Sequence, residues 1–217
     1  MLRSLRAFLI LCLLLPAVRS VCQQEIPLGT WRLHPSYNSI YAIAVAGEDI
    51  YASAETAIMV LHEDNSSSTI TRLSGLTGGS ITCLAYDPLS GKVLVGYEDG
   101  NLDLIDESGI TNFDRIFTSP DVTGSKRINH IGVQGSIAYL ASDFGVVLFD
   151  IALNEIRETW RDLGPAGEKV QVFQSAFHAD SIFLATSDGV QAGDLNDNLL
   201  DFSLWKRFNT GDFSGAV

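Results

Sequence analysis

The chain has 217 residues, 46% of them hydrophobic and 18% charged, with 14 Lys and Arg set against 26 Asp and Glu. That composition is too apolar and too lightly charged for a disordered chain, and the length suits one domain or part of a larger one. A formal net charge of −12 repels polyphosphate, which argues against nucleic acid as a partner.

Residues 1–22 read as a secretory signal peptide. Arg3 and Arg6 give a positive start, Ala7 to Leu15 is an unbroken apolar run, and Pro16 ends it before Ala17-Val18-Arg19-Ser20. The run is too short to span a bilayer, and no later apolar stretch reaches the length of about 18 residues that a span needs. Cleavage after Ser20 or after Cys22 fits equally. Cys22 is not read as a lipidation site, because Arg19 stands where a lipobox has Leu. Loss of the leader removes three arginines and no acid, so 11 basic and 26 acidic residues remain, a net charge of −15. Of the three cysteines only Cys83 lies inside the expected fold, which leaves no disulfide framework.

From Ile40 onward the chain repeats itself about every 44 residues. Four segments begin the units: Ile40 to Val45, Ile81 to Tyr86, Ile128 to Val133 and Val170 to Phe173. After a polar turn a second apolar strand follows in each: Ile50 to Ser53, Val93 to Gly96, Ala138 to Ala141 and Ile182 to Ala185. Gly100, Gly145 and Gly189 then mark a hairpin, with Ala57 in the first unit. Third strands follow at Ala57 to Leu61, Leu102 to Asp106, Val146 to Asp150 and Val190 to Asp194. Polar fourth strands close the units at Ser68 to Leu73, Phe113 to Phe117, Glu155 to Trp160 and Leu204 to Phe208. Four antiparallel strands per repeat, small and apolar first and charged and aromatic last, predict an all-β fold, a β-propeller of four-stranded blades. A β-sandwich shares the strand lengths but not the unit-by-unit recurrence.

The blades are expected at about 40–74, 81–118, 128–161 and 170–208, within a propeller domain 23–217. Thr30-Trp31-Arg32-Leu33-His34 resembles a fourth strand that precedes the first blade, so 28–34 reads as a closing strand. Because the last blade already has its own fourth strand near Trp205, the four blades read as part of a larger ring of about seven. Open end faces are then expected to expose Ile43, Tyr51, Phe183 and Leu184.

Chemistry-bearing motifs are missing from the sequence. It has no phosphate-binding loop, no Cys-x-x-Cys, no His-Glu-x-x-His and no Gly-x-Ser-x-Gly. The four histidines lack ligand spacing. Asp194-Leu195-Asn196-Asp197-Asn198 offers oxygen donors but no closing Glu, so a solvated turn is favoured over calcium. The chain therefore reads as non-catalytic, with no metal and no cofactor. Ligands of propellers gather on the face made by the fourth-to-first and second-to-third connections. Here that face includes Pro35 to Ser39, Gly75 to Ser80, Ser119 to Arg127 and Asp162 to Lys169. Lys126 and Arg127 are two cations in an acidic protein. They read first as strand-end charges and second as a subsite for an anionic group.

The stretches Trp31 to His34 with Tyr37-Asn38, Gly96 to Ile105, Lys126 to Ile131, Ala138 to Val147 and Asp201 to Trp205 resemble the N-terminal β-propeller of the PorZ family. That family belongs to the surface attachment complex of the type IX secretion system of Bacteroidetes. The resemblance implies a non-catalytic, cell-surface, outer-membrane-associated protein. It implies partners that include a sortase and other attachment-complex proteins, and a role in delivering anionic lipopolysaccharide to that sortase. Tyr37, Asn38, Lys126, Arg127 and Asn129 are the candidate ligand-binding residues. The competing reading is a periplasmic, saccharide-binding sensor propeller of a hybrid two-component receptor.

Overall fold

The computed structural model describes residues 35–208. The leader 1–22 and the closing strand 28–34 expected from the sequence lie outside these residues. Among the described residues, sixteen strands form four separate antiparallel sheets, each a four-stranded meander in chain order. The first blade holds β1 (Ala42–Ala46), β2 (Asp49–Ser53), β3 (Ile58–Leu61) and β4 (Ser67–Ile70). The second holds β5 (Ile81–Asp87), β6 (Lys92–Tyr97), β7 (Leu102–Asp106) and β8 (Gly109–Phe113). The third holds β9 (Ile128–Gln134), β10 (Ile137–Ser142), β11 (Gly145–Asp150) and β12 (Glu155–Trp160). The fourth holds β13 (Val172–His178), β14 (Ser181–Thr186), β15 (Gly189–Asp194) and β16 (Lys206–Phe208). The first strands of successive blades pack on one another, β1 on β5, β5 on β9 and β9 on β13. These are the blades of a β-propeller.

Several strand boundaries differ from the sequence expectation, each for a local reason. In the second blade the fourth strand is Gly109–Phe113, and Arg115–Thr118 is a one-turn helix, α1. The Asp106 carboxylate takes the Ser108 N–H at 2.8 Å and Gly109 adopts φ 132°, so the chain reverses at once and the strand starts early. In the first blade the fourth strand ends at Ile70, because Thr71 caps a 3₁₀ turn over Arg72–Ser74. Asp201 does the same for Phe202–Leu204, which shortens the last strand to Lys206–Phe208. The first strand of the fourth blade starts at Val172, not Val170. Val172 pairs with Thr186 as Ile128 pairs with Ser142, so these two are the equivalent residues.

That register rests on a bulge repeated in three blades. Thr82, Asn129 and Phe173 are each skipped in the pairing of the first two strands. A second repeated device sits at the opposite end of the blades. Asp106, Asp150 and Asp194 close successive third strands, 44 residues apart, and each carboxylate accepts the N–H two residues on. These Asx turns set the third-to-fourth hairpins.

Three core clusters fill the spaces between neighbouring blades. Between the first two, Ala44, Ile58 and Val60 meet Leu84, Val93, Val95 and Tyr97. Between the second and third, Leu94, Leu102 and Leu104 meet Ile131, Leu140 and Phe149, with the Phe113 ring edge-on to Phe149 at 4.8 Å. Between the third and fourth, Tyr139, Leu148 and Trp160 meet Val172, Ile182, Leu184 and Trp205. Of the residues expected to be exposed on the end faces, Ile43 and Phe183 are exposed. Leu184 is fully buried against the third blade, and Tyr51 is half-buried against the second. The cause is strand alternation, which turns neighbouring residues to opposite sheet faces.

The interface between the third and fourth blades contains a titratable group. His130 Nδ1 takes the Ser175 N–H at 3.3 Å and lies 3.3 Å from the Ser175 hydroxyl. Burial lowers its pKa. A base with a depressed folded pKa gives its full stabilisation above the unfolded value of about 6.5, and that stabilisation is lost as pH falls through the folded value. The melting temperature of the wild type is therefore expected to fall more steeply from neutral pH toward pH ~5 than that of His130→Gln. Parallel pH profiles of the two would contradict this assignment.

Candidate functional site

The loop face is held together by main-chain bonds that recur from blade to blade. In the second, third and fourth blades the residue just before the first strand, Ser80 and Arg127 in the second and third and Gln171 in the fourth, accepts an N–H from the second-to-third connection of its own blade. Glu98 N–H reaches Ser80 O at 3.0 Å, Asp143 N–H reaches Arg127 O at 3.2 Å, and Ser187 N–H reaches Gln171 O at 2.9 Å. The bulged residues add clasps between blades. The Thr82 hydroxyl donates to the Ile128 carbonyl of the next blade, and the Asn129 side-chain amide donates to the Val172 carbonyl at 2.9 Å. The bulge re-aims these side chains so that each reaches a main-chain carbonyl of the next blade.

The five candidate residues do not form a single cluster. The Lys126 ammonium donates to the Ser119 carbonyl at 2.8 Å and to the Phe117 carbonyl, so it ties down the end of α1. Gly100 lies directly beneath it, since a Cβ there would stand 2.9 Å from Lys126 Cβ. Asn129 is engaged by the Asp143 carboxylate at 2.8 Å as well as by Val172. The Tyr37 hydroxyl donates to Thr69 Oγ1 at 3.1 Å on the fourth strand of the first blade, and Asn38 N–H reaches Ser36 Oγ at 3.5 Å. Of the five, Arg127 borders a described cavity.

That cavity has a volume of about 190 Å³ and is lined by Tyr41, Glu55, Ser80, Ile81, Thr82 and Arg127. Three blades contribute to it. Tyr41 directly precedes β1 and is exposed, Glu55 comes from the β2–β3 connection, and Arg127 directly precedes β9. Its floor is fixed by the Ile81 N–H donating to Glu55 O at 2.8 Å. The Arg127 guanidinium is half-exposed and lies 3.4 Å from Glu98 Oε1. An aromatic ring, a carboxylate, two hydroxyls and a guanidinium around an open cleft can hydrogen-bond a polar, sugar-like ligand and pair with an acidic group on it. Charge signals Arg127 in the sequence, but nothing there signals Tyr41 and Glu55, whose convergence depends on the stacking of blades.

Beside the cleft, Asp143 gathers the Ser125 hydroxyl at 2.5 Å, Asn129 and the Gln171 amide. Burial raises its pKa, but the hydrogen bonds from Ser125, Asn129 and Gln171 together outweigh this and hold the carboxyl below its usual range. Cys83 is buried beneath the same rim, and desolvation pushes its thiol up to about 12, so it is a core residue and not a nucleophile. Among the described residues, no group of three or more His, Cys, Asp or Glu stands where it could hold a metal ion. No helix among them is long and apolar enough to cross a membrane.

Four-stranded blades stacked through their first strands, with a polar cleft among their loops, define the class as a β-propeller. Residues 50–206 match the family described as the type IX secretion system PorZ N-terminal beta-propeller domain, and the chain belongs to that family. Among solved structures it is similar to PorZ of Porphyromonas gingivalis, an essential bacterial surface component of the type IX secretion system, at 24% identity and a TM-score of 0.65. That likeness covers 78% of this chain and 22% of the other. The extracellular domain of a putative hybrid two-component system from B. thetaiotaomicron shares the fold at 12% identity and a TM-score of 0.64, over 80% of this chain and 22% of that one. The computationally designed Ika4 protein is similar over 75% of this chain and 95% of its own, at 15% identity and a TM-score of 0.52. The chain thus spans about a fifth of the length of the two natural proteins. No curated protein matches it by sequence.

Substitution separates the roles of the neighbouring polar residues. Asn129→Leu leaves the Asp143 carboxylate and the Val172 carbonyl each one donor short, and a loss of about 1–3 kcal/mol in unfolding free energy is expected. Denaturant unfolding measures it, and an unchanged midpoint would show that the clasp contributes nothing.

Proposed function

We propose that this propeller acts at the cell surface as the PorZ-type component of the type IX secretion attachment complex. In that role it presents its loop face to the anionic glycan of lipopolysaccharide and delivers the glycolipid to a sortase. The observation that carries the reading is the family match across residues 50–206. The cleft supports it, because Arg127 is the candidate cation left half-exposed beside sugar-compatible groups, whereas the Lys126 ammonium is engaged by carbonyls. The role is one of binding, not catalysis. A leader over residues 1–22, removed near Val21 or Gln23, would bring the chain across the inner membrane to that location.

The test is binding of the purified chain to lipopolysaccharide from a bacterium that has the secretion system. Arg127→Ala is expected to weaken binding about tenfold, in line with the loss of one charge-assisted contact, and to flatten the salt dependence. Lys126→Ala is expected to leave affinity near the wild-type value while loosening the connection around α1. Equal affinity and an equal salt slope for wild type and Arg127→Ala would overturn the assignment of the cleft.

A further inference from the structure

Where α1 of the second blade meets β12, the edge strand of the third, the junction between these blades leaves a hollow of about 40 Å³ that shares no residue with the cleft. Ile116 of α1 reaches it from one side, and Phe144, Val147 and Ile156 of the third blade form the other. Val147 and Ile156 share a sheet face, because Val147 pairs with Thr159 and Phe149 with Ile156. Ile116, Phe144 and Val147 are buried, while Ile156 and Thr159 are half-buried at the mouth. A water-sized group needs about 10–15 Å³, so the hollow takes about three, the size of the branched end of an aliphatic side chain. Both blades have their other neighbour in place, β1 on β5 and β13 on β9, so this hollow is not an end face of the series.

Two guanidiniums line the same hollow. Arg115 is the first residue of α1 and is exposed, and among the described residues its guanidinium makes no hydrogen bond and no ion pair. Arg161 directly follows β12, lies over the Phe144 ring at 5.9 Å and donates to the Asp121 carbonyl at 3.4 Å. Asp114, Asp121 and Asp162 are close in sequence, yet none is ion-paired with either arginine. In a chain of net charge −12, an apolar hollow flanked by two cations without a carboxylate partner is complementary to an acid supplied from outside.

We propose that this hollow and its two arginines are a docking site for an acidic segment of a partner protein, which seats one aliphatic side chain in the hollow and turns a carboxylate toward Arg115 and another toward Arg161. Charge complementarity selects the acids, and the volume selects the side chain. An acyl chain would leave most of its length in water, and a sugar would lay its hydroxyls on an aliphatic and aromatic floor. The edge position of β12 selects an extended main chain. A segment lying along that edge can take up its open N–H and C=O groups, and its alternate side chains then fall on the sheet face that carries Val147 and Ile156. The site is separate from the cleft and does not depend on what the cleft binds.

Fluorescence anisotropy on the intact chain tests the proposal, with the capped and labelled peptide Asp-Thr-Val-Thr-Asp as the probe. Saturable binding is expected, and Arg115→Ala and Arg161→Ala are each expected to weaken it about fivefold, the upper end for a half-exposed ion pair. A peptide with Lys in place of both Asp is expected not to bind, and one with Ser in place of Val to bind more weakly. Lys169→Ala, which removes a positive charge that does not line the hollow, is expected to leave the affinity unchanged. Arg115 is exposed and holds no internal contact, so Arg115→Ala keeps the test decisive if Arg161→Ala does not fold. Absence of saturable binding by the Val peptide would overturn the proposal. So would equal affinity for wild type and Arg115→Ala, equal weakening by Lys169→Ala, or a Ser peptide that binds as tightly. Phosphatidylglycerol vesicles that bind through Arg115 while the peptide does not would assign the arginines to a lipid surface and overturn it too.

Discussion

Everything in this molecule depends on the alternation of small and large residues across the faces of its inner strands. A blade alone is a thin sheet with two apolar faces, and it has no interior until a neighbour covers one of them. On the forward side, toward the next blade, Ala44, Cys83, Ala85 and Gly132 let the next sheet approach closely, and Leu84, Tyr86, Ile131, Val133 and Phe177 fill the space so made. Gly132 is the extreme case, where a single methyl group would collide with Ser175 and Phe177. The core is consequently not one cluster but three, one for each blade-to-blade junction. Its extent is set by the number of junctions.

The cleft follows from that stacking. Tyr41, Glu55, Thr82 and Arg127 belong to three blades, and they meet only because the inner strands are held at a fixed spacing by the cores below. The Thr82 and Asn129 clasps lie on the same rim and keep the loop face in register with the cores. A propeller of this build gathers polar groups from several blades on one loop face. The family to which the chain belongs is that of a type IX secretion system component.

Much of the fold was legible in the sequence because the repeat is strict. The repeat of about 44 residues, marked by Ala57, Gly100, Gly145 and Gly189 at the second hairpin, predicted the strands to within a few residues. The misses lie where side chains override the repeat. Thr71 and Asp201 cap 3₁₀ turns that shorten two fourth strands, and the bulge at Phe173 moves the last first strand by two residues. At the end faces the expectation named Leu184 and Tyr51 beside Phe183 and Ile43, mixing the two sides of a strand. Only the register, with its bulge, says which side is which. For the cleft, charge singled out Lys126 and Arg127 together, yet one is held by carbonyls and the other is half-exposed. No pattern in a single sequence separates the two, since the difference lies in where α1 ends.

The most direct test of the directional packing is the unfolding free energy of Gly132→Val. At this position φ is not positive, so the effect of the substitution is one of space and not of backbone conformation. The branched side chain would have to push the fourth blade away from the third, and a loss of about 1–3 kcal/mol is expected from overpacking a tight junction. An unchanged or higher stability, as β-propensity alone would favour for Val over Gly in a strand, would mean that the forward faces need not be small and would contradict the account.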